Sequence, residues 1–221
     1  LSGGAINLDV VGNYAYVADN TSGLAIIDIS NPTSPGNPIY KDTNGTAKGI
    51  DISGNYAFVA DGGSGLAIIN ISDPTNPGNP TYKYTSSDNV VDVDIKGNYA
   101  YIASLSLGLG IFDITDPTNP GTTTYRDTNG NDAYSVTVKG NYAYMANYSS
   151  GLAIIDVSEP SSPGAPVYGP EVNGSPTGST YDVSIRGNYA YLADGANLSI
   201  VDISDPTIQG NPVYKNTTNR F

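Results

Sequence analysis

The chain has 221 residues, 21 acidic and 9 basic side chains, and neither cysteine nor histidine. Without thiols there are no disulfides, thiolate metal sites or cysteine nucleophile, and without imidazole the usual general base and commonest metal ligand are missing. A formal charge of −12 argues against nucleic acid and anionic membranes as partners, and no stretch reaches the roughly 20 apolar residues of a membrane-spanning helix.

The first element is a strand from Ala5 to Val10, followed by a Gly-Asn turn and a second strand opening on Tyr14-Ala-Tyr. The phrase Gly-Asn-Tyr-Ala-Tyr, or a one-letter variant, starts at Gly12, Gly54, Gly97, Gly140 and Gly187, at spacings of 42, 43, 43 and 47 residues. Leu24 to Asp28 is the third strand, and its phrase returns at Leu66, Leu109, Leu152 and Leu198. A Pro-rich loop at Asn31-Pro32 and its counterparts cannot enter a ladder, so it separates the third strand from a short fourth. Asn and Gly in the first turn are read as residues that tolerate positive φ. Four antiparallel strands per unit of this length predict an all-β, five-bladed β-propeller. The blades run over about 5–43, 47–85, 90–128, 133–170 and 180–216 within one domain, 1–221. Each sheet should carry a bulky face (Tyr14 and Tyr16 in the first) and a small face (Ala15), so that the rings of one blade sit over the alanines of the next. The first strand opens the array and Pro212 to Lys215 ends it, so no strand is exchanged between termini. The ring either closes by packing its last blade on its first, or leaves both faces to other molecules.

Leu24-Ala-Ile-Ile-Asp28, with Asn-Pro or Asp-Pro behind it and Tyr14-Ala-Tyr-Val-Ala-Asp19 before it, resembles the LVIVD repeat, a bacterial and archaeal surface-protein repeat expected to form propellers. The resemblance covers about Ala5 to Tyr214 and implies a fold, not an activity.

Candidate sites fall into three groups. Asp9, Asp51, Asp92, Asp94 and Asp182 lie on the innermost strands, where carboxylates near a channel can supply the hard oxygen ligands of Ca²⁺; the alternative is a hydrated polar lining without any cofactor. Leu105, Leu107 and Tyr148 are apolar at turns where other repeats have small or polar residues, and with Glu171, in the insertion Gly169–Tyr181, they mark a candidate interaction rim. Asn20, Asn44, Asn70, Asn147, Asn173, Asn197 and Asn216 begin N-glycosylation triplets. No inner-strand glutamate pair is available for glycoside hydrolysis, and near-identical repeats offer no unlike acid and base.

The sequence therefore predicts a non-catalytic extracellular or cell-surface structural or interaction module, self-assembling into a coat, matrix or filament, with itself or other surface proteins as partners. A multivalent carbohydrate-binding propeller is the alternative, and a glycoside hydrolase ranks below both.

Overall fold

The computed structural model describes residues 3–83, 89–130, 132–168, 179–195, 197–208 and 213–216. Among these there is no helix; the strands form five antiparallel sheets of four. The first holds β1 (Asn7–Val11), β2 (Tyr14–Ala18), β3 (Leu24–Asp28) and β4 (Ile39–Lys41), and the second β5 (Gly49–Ser53), β6 (Tyr56–Ala60), β7 (Leu66–Asn70) and β8 (Thr81–Lys83). The third holds β9 (Val90–Lys96), β10 (Tyr99–Ser104), β11 (Gly108–Asp113) and β12 (Thr123–Arg126), and the fourth β13 (Ser135–Lys139), β14 (Tyr142–Ala146), β15 (Leu152–Asp156) and β16 (Val167–Tyr168). The fifth holds β17 (Thr180–Arg186), β18 (Tyr189–Asp194), β19 (Asn197–Asp202) and β20 (Val213–Asn216). Each sheet is a meander of consecutive strands, so none borrows a strand from elsewhere in the chain. The fold divides into two compact units, Leu1–Ala100 with Phe112–Thr123, and Tyr101–Ile111 with Thr124–Phe221.

The register of each sheet starts at its first turn. Val11 pairs with Tyr14 across Gly12-Asn13, and only the glycine takes positive φ, at 59°. That assigns a II′-type hairpin and corrects the sequence reading, in which Asn shared the left-handed role. Asn13 acts through its backbone instead, because its carbonyl accepts the Ile29 N–H at 2.8 Å and anchors the chain leaving β3. The same bond recurs from Ile71 to Asn55, Ile114 to Asn98, Val157 to Asn141 and Ile203 to Asn188. Farther on, Asp28, Asp113, Asp156 and Asp202 each accept the N–H two residues downstream, and those hydrogen bonds hold their carboxyls below the usual range. The faithful aspartates at the ends of the third strands are thus turn residues.

Sheets pack bulky face on small face, as the alternation requires. In the first unit Tyr16, Leu24 and Ile26 of one sheet form a buried cluster with Ile50, Ala57 and Ala67 of the next. In the second unit Tyr144, Leu152 and Ile154 cluster in the same way with Val183, Ala190 and Leu192. Burial of this apolar area is the main driving force, at about 25 cal/mol per Å². It also pushes the Tyr16 and Tyr144 hydroxyls up.

Candidate functional site

The first strands of the sheets, β1, β5, β9, β13 and β17, place the aspartates of the first candidate group. Asp9 Oδ1 accepts the Val10 N–H at 2.7 Å, while Oδ2 reaches the Ile52 N–H of the next sheet at 3.2 Å. Asp51 repeats the move one sheet on, accepting from Ile52 at 2.7 Å and from Ile95 at 2.6 Å. Burial pushes the Asp51 carboxyl up to about 6, and the Asp94 and Asp9 charges add to it against the lowering by those N–H groups. Asp92 accepts the Val93 N–H at 2.9 Å and lies against Gly49, where a Cβ would meet the Asp92 Cα. In the second unit Asp182 accepts the Val183 N–H at 2.9 Å and the Ser135 hydroxyl at 3.0 Å, while Thr137 donates to the Val183 carbonyl. The structure thus brings Asp9 and Asp94 each into electrostatic reach of Asp51 and leaves Asp182 in the other unit. Much of their oxygen chemistry is spent on clipping one sheet to the next. Among the described residues no group of three or more acidic side chains is arranged to hold a metal ion.

A second polar series sits at the ends of the second strands. Asp19, Asp61, Ser104, Asn147 and Asp194 are all fully buried. Asp61 accepts the Thr43 hydroxyl at 2.6 Å and the Gly45 N–H at 2.9 Å, both from the link that leaves β4. Asn147 accepts the Thr128 hydroxyl at 2.8 Å and returns its own Nδ2–H to the Thr128 carbonyl at 2.9 Å. Asp194 takes the Ser199 hydroxyl at 2.9 Å and that of Thr180 at 3.3 Å. Gly3 donates to Asp19 as Gly45 does to Asp61. Asp19, Asp61 and Asn147 thus pin the end of the second strand to the chain that precedes the sheet, whereas Asp194 ties strands within its own sheet. Sequence reasoning missed Thr43 and Thr128, although Asp-Thr-Asn-Gly at Asp42–Gly45 and Asp127–Gly130 keeps step with the repeat.

This geometry removes Asn147 from the glycosylation candidates, because the nitrogen that would carry the sugar is buried and already donating. Asn44 and Asn70 are exposed, whereas Asn20 and Asn197 are half-buried. Glu171 and Asn173 lie outside the described residues, as does the side chain of Asn216.

The rim candidates resolve into an aromatic cluster. Tyr148, held at φ 36° in the β14–β15 turn, meets Tyr134 at 5.8 Å and Tyr181 at 5.9 Å between ring centroids, and Tyr134 meets Tyr181 edge-on at 5.2 Å. Tyr181 remains 46% exposed. Burial raises the Tyr134 hydroxyl, and the neighbouring Asp132 carboxylate adds to it. The equivalent positions in the other repeats hold Ile6, Lys48 and Val91, so the cluster breaks the repeat where β13 and β17 begin. Leu105 and Leu107 are half-buried in the β10–β11 turn. A cleft of about 400 Å³ opens beside Tyr191, Leu198 and Asp182 on the fifth sheet.

The family model of the LVIVD repeat matches residues 2–38, 44–80, 88–128, 130–165 and 177–214. The chain belongs to the LVIVD-repeat family. No curated protein sequence matches it. The five LVIVD repeats superpose on solved propellers at low identity, which shows the fold alone. The Myceliophteria thermophila Cps50 (Swd1) β-propeller domain matches at TM-score 0.72 and 12% identity over 94% of this chain and 68% of that one. A Bacteroides uniformis protein provisionally assigned as a 6-phosphogluconolactonase matches at 0.72 and 16%, over 95% and 69%. The computationally designed Ika8 protein matches at 0.68 and 10% over 95% of this chain, which spans 61% of its length. The molecule is therefore a β-propeller repeat protein.

Proposed function

We propose that this protein is a non-catalytic structural and interaction module of the cell surface or extracellular space, self-assembling or joining other surface proteins. The observation that supports it most is the Tyr134–Tyr148–Tyr181 cluster, where departure from the repeat yields an aromatic surface with two half-buried rings and an exposed Tyr181 instead of an acid–base pair. Exposed aromatic patches are typical anchors of protein contacts. The repeat's own polar groups, from Asp51 to Asn147, are engaged in holding the sheets together, which leaves little unlike chemistry for turnover. Closure of the five sheets into one ring belongs to the same reading, as does a surface role for the exposed triplets at Asn44 and Asn70.

Light scattering and electron microscopy of the native protein, with and without a calcium chelator, test it. Ordered oligomers or fibres are expected. Their loss on chelation would make the inner aspartates, with Asp51 and Asp94 first, a Ca²⁺ site. Compact single chains that bind glycans through Tyr181 would replace the reading with the lectin one.

A further inference from the structure

The tyrosine cluster is assembled by three departures from the repeat, two of them against local backbone preference. Tyr148 sits at φ 36°, in the left-handed region, at the position that Asn20, Gly62 and Gly195 hold in other repeats. A bulky residue seldom takes that conformation, whereas Asn and Gly do. Tyr181 is the extra residue of a β-bulge: Thr180 pairs with Asp194 and Asp182 with Ala193, so no residue stands opposite it. Bulges gather where a side chain has to be re-aimed. The Thr180 N–H donates to the Tyr148 carbonyl at 3.0 Å, which ties the strained residue to the bulge. Tyr134 supplies the third ring, where other repeats hold Ile6, Lys48 and Val91. Core packing does not explain the arrangement, because Tyr181 stays 46% exposed and the other two rings are half-buried.

From this we infer that the cluster is a docking site for an arginine side chain carried on a basic segment of another protein. Distance is the first argument. The centroids lie 5.2, 5.8 and 5.9 Å apart, too close for anything to enter between the rings. A cation seated about 4 Å above their triangle, however, lies about 5 Å from each, inside the roughly 6 Å reach of a cation–π contact. Inclination is the second. Tyr181 stands at 66° to Tyr134 and 72° to Tyr148, so the rings share no plane on which a flat sugar face could stack, whereas steeply inclined faces can meet one compact cation together. Charge is the third. The Tyr134 hydroxyl donates to the Asp132 carboxylate, which sets a negative group at the edge of the cluster, and the groups acting on Tyr134 are that carboxylate and the two other phenols. A carboxylate retains lone pairs for further donors, and a guanidinium both stacks on aromatic faces and donates to carboxylates in pairs. The formal charge of −12 selects the partner: a second copy of the chain is repelled, whereas a basic protein is attracted.

This inference rests on the interaction role in the proposed function and names a partner chemistry for the same cluster. The test is a titration of the whole chain, followed by the NMR signals of Tyr134, Tyr148 and Tyr181, with a capped Gly-Arg-Gly-Arg-Gly peptide and with the same peptide carrying citrulline, the uncharged isostere of arginine. Saturable shifts of all three residues are expected at millimolar arginine peptide, with at least fivefold weaker binding of the citrulline one. Tyr181→Leu, which keeps an apolar side chain, and Asp132→Asn should each weaken the arginine response severalfold. Tyr148→Asn restores the residue that Asn20 represents at this turn, so it should keep or raise the thermal midpoint while weakening arginine binding. Equal shifts with both peptides, or no saturable shift in a protein with native spectra, overturn the inference. So does a Tyr148→Asn variant that loses thermal stability and binds arginine as wild type does. Shifts of these residues with a methyl glycoside and none with arginine replace it with the sugar reading. Ordered self-assembly that Tyr181→Leu leaves intact, with no arginine response, keeps the proposed function and overturns this partner; single chains that bind arginine keep the site and remove self-assembly.

Discussion

The second and fourth repeats solve one problem with two chemistries. Each must fasten the incoming link to the buried end of its second strand, and the second repeat uses the Asp61 carboxylate where the fourth uses the Asn147 amide. Asp61 only accepts, so it gathers two donors, the Thr43 hydroxyl and the Gly45 N–H. Asn147 both accepts and donates, and it satisfies a hydroxyl and a carbonyl of the same residue, Thr128. What the position requires is a short polar side chain that matches the link, not a charge. The difference lies in pH: burial raises the Asp61 carboxyl, whereas an amide does not titrate.

The largest effect is expected from removing either pin. Asp61→Ala strands a buried hydroxyl and an N–H and should lower unfolding free energy by about 2–4 kcal/mol, and Asn147→Ala by about 1–3 kcal/mol, read from urea midpoints at constant slope. Equal losses would show that charge adds nothing to the second repeat. Next comes Gly45→Ala, where the new Cβ would sit on the Asp61 carbonyl oxygen, against Gly130→Ala, where the space is open but φ is 67°. The first should destabilise by about 2–3 kcal/mol and the second by about 1–2 kcal/mol.

A smaller effect is the pH slope. Asp61 binds its proton more tightly when folded, so its contribution is greatest below the unfolded value of 3.8 and is lost as pH rises through the raised one. Asp51 acts in the same sense between 3.8 and about 6. Asp61→Asn and Asp51→Asn should each flatten the decline in stability across that window, and a slope equal to wild type in both would contradict the assignment. The smallest effect is at Tyr168, whose buried hydroxyl lacks a hydrogen-bond partner among the described residues and is pushed up to about 12, mainly by burial. Tyr168→Phe should raise the thermal midpoint, by about 1 kcal/mol of stability.

The fold was legible because its signals are local. Period-2 alternation through Tyr14, Tyr16 and Ala18, a two-residue turn and a proline-broken loop are each readable within a few residues, and five repetitions reinforce them. The burial of Asn147 was not, because a sequon looks the same whether its amide meets water or Thr128. The tyrosine cluster was half legible. Tyr148 stood out as a departure from its siblings, but Tyr134 and Tyr181 belong to two successive sheets, and only packing brings all three rings together. That Asp9, Asp51, Asp92, Asp94 and Asp182 lie on the first strands was readable from the alternation; which N–H groups they would meet depended on the stagger between sheets, which no single repeat encodes.

The Gly12-Asn13 turn and its four copies have a kinetic consequence. Each starts a hairpin between residues adjacent in sequence, a contact that forms in about 1–10 μs and closes almost no loop. Every sheet therefore carries its own nucleus, and a length of chain duplicated whole brings with it the instruction for its own folding. An array built this way can grow or shrink by one repeat over generations without relearning how to fold.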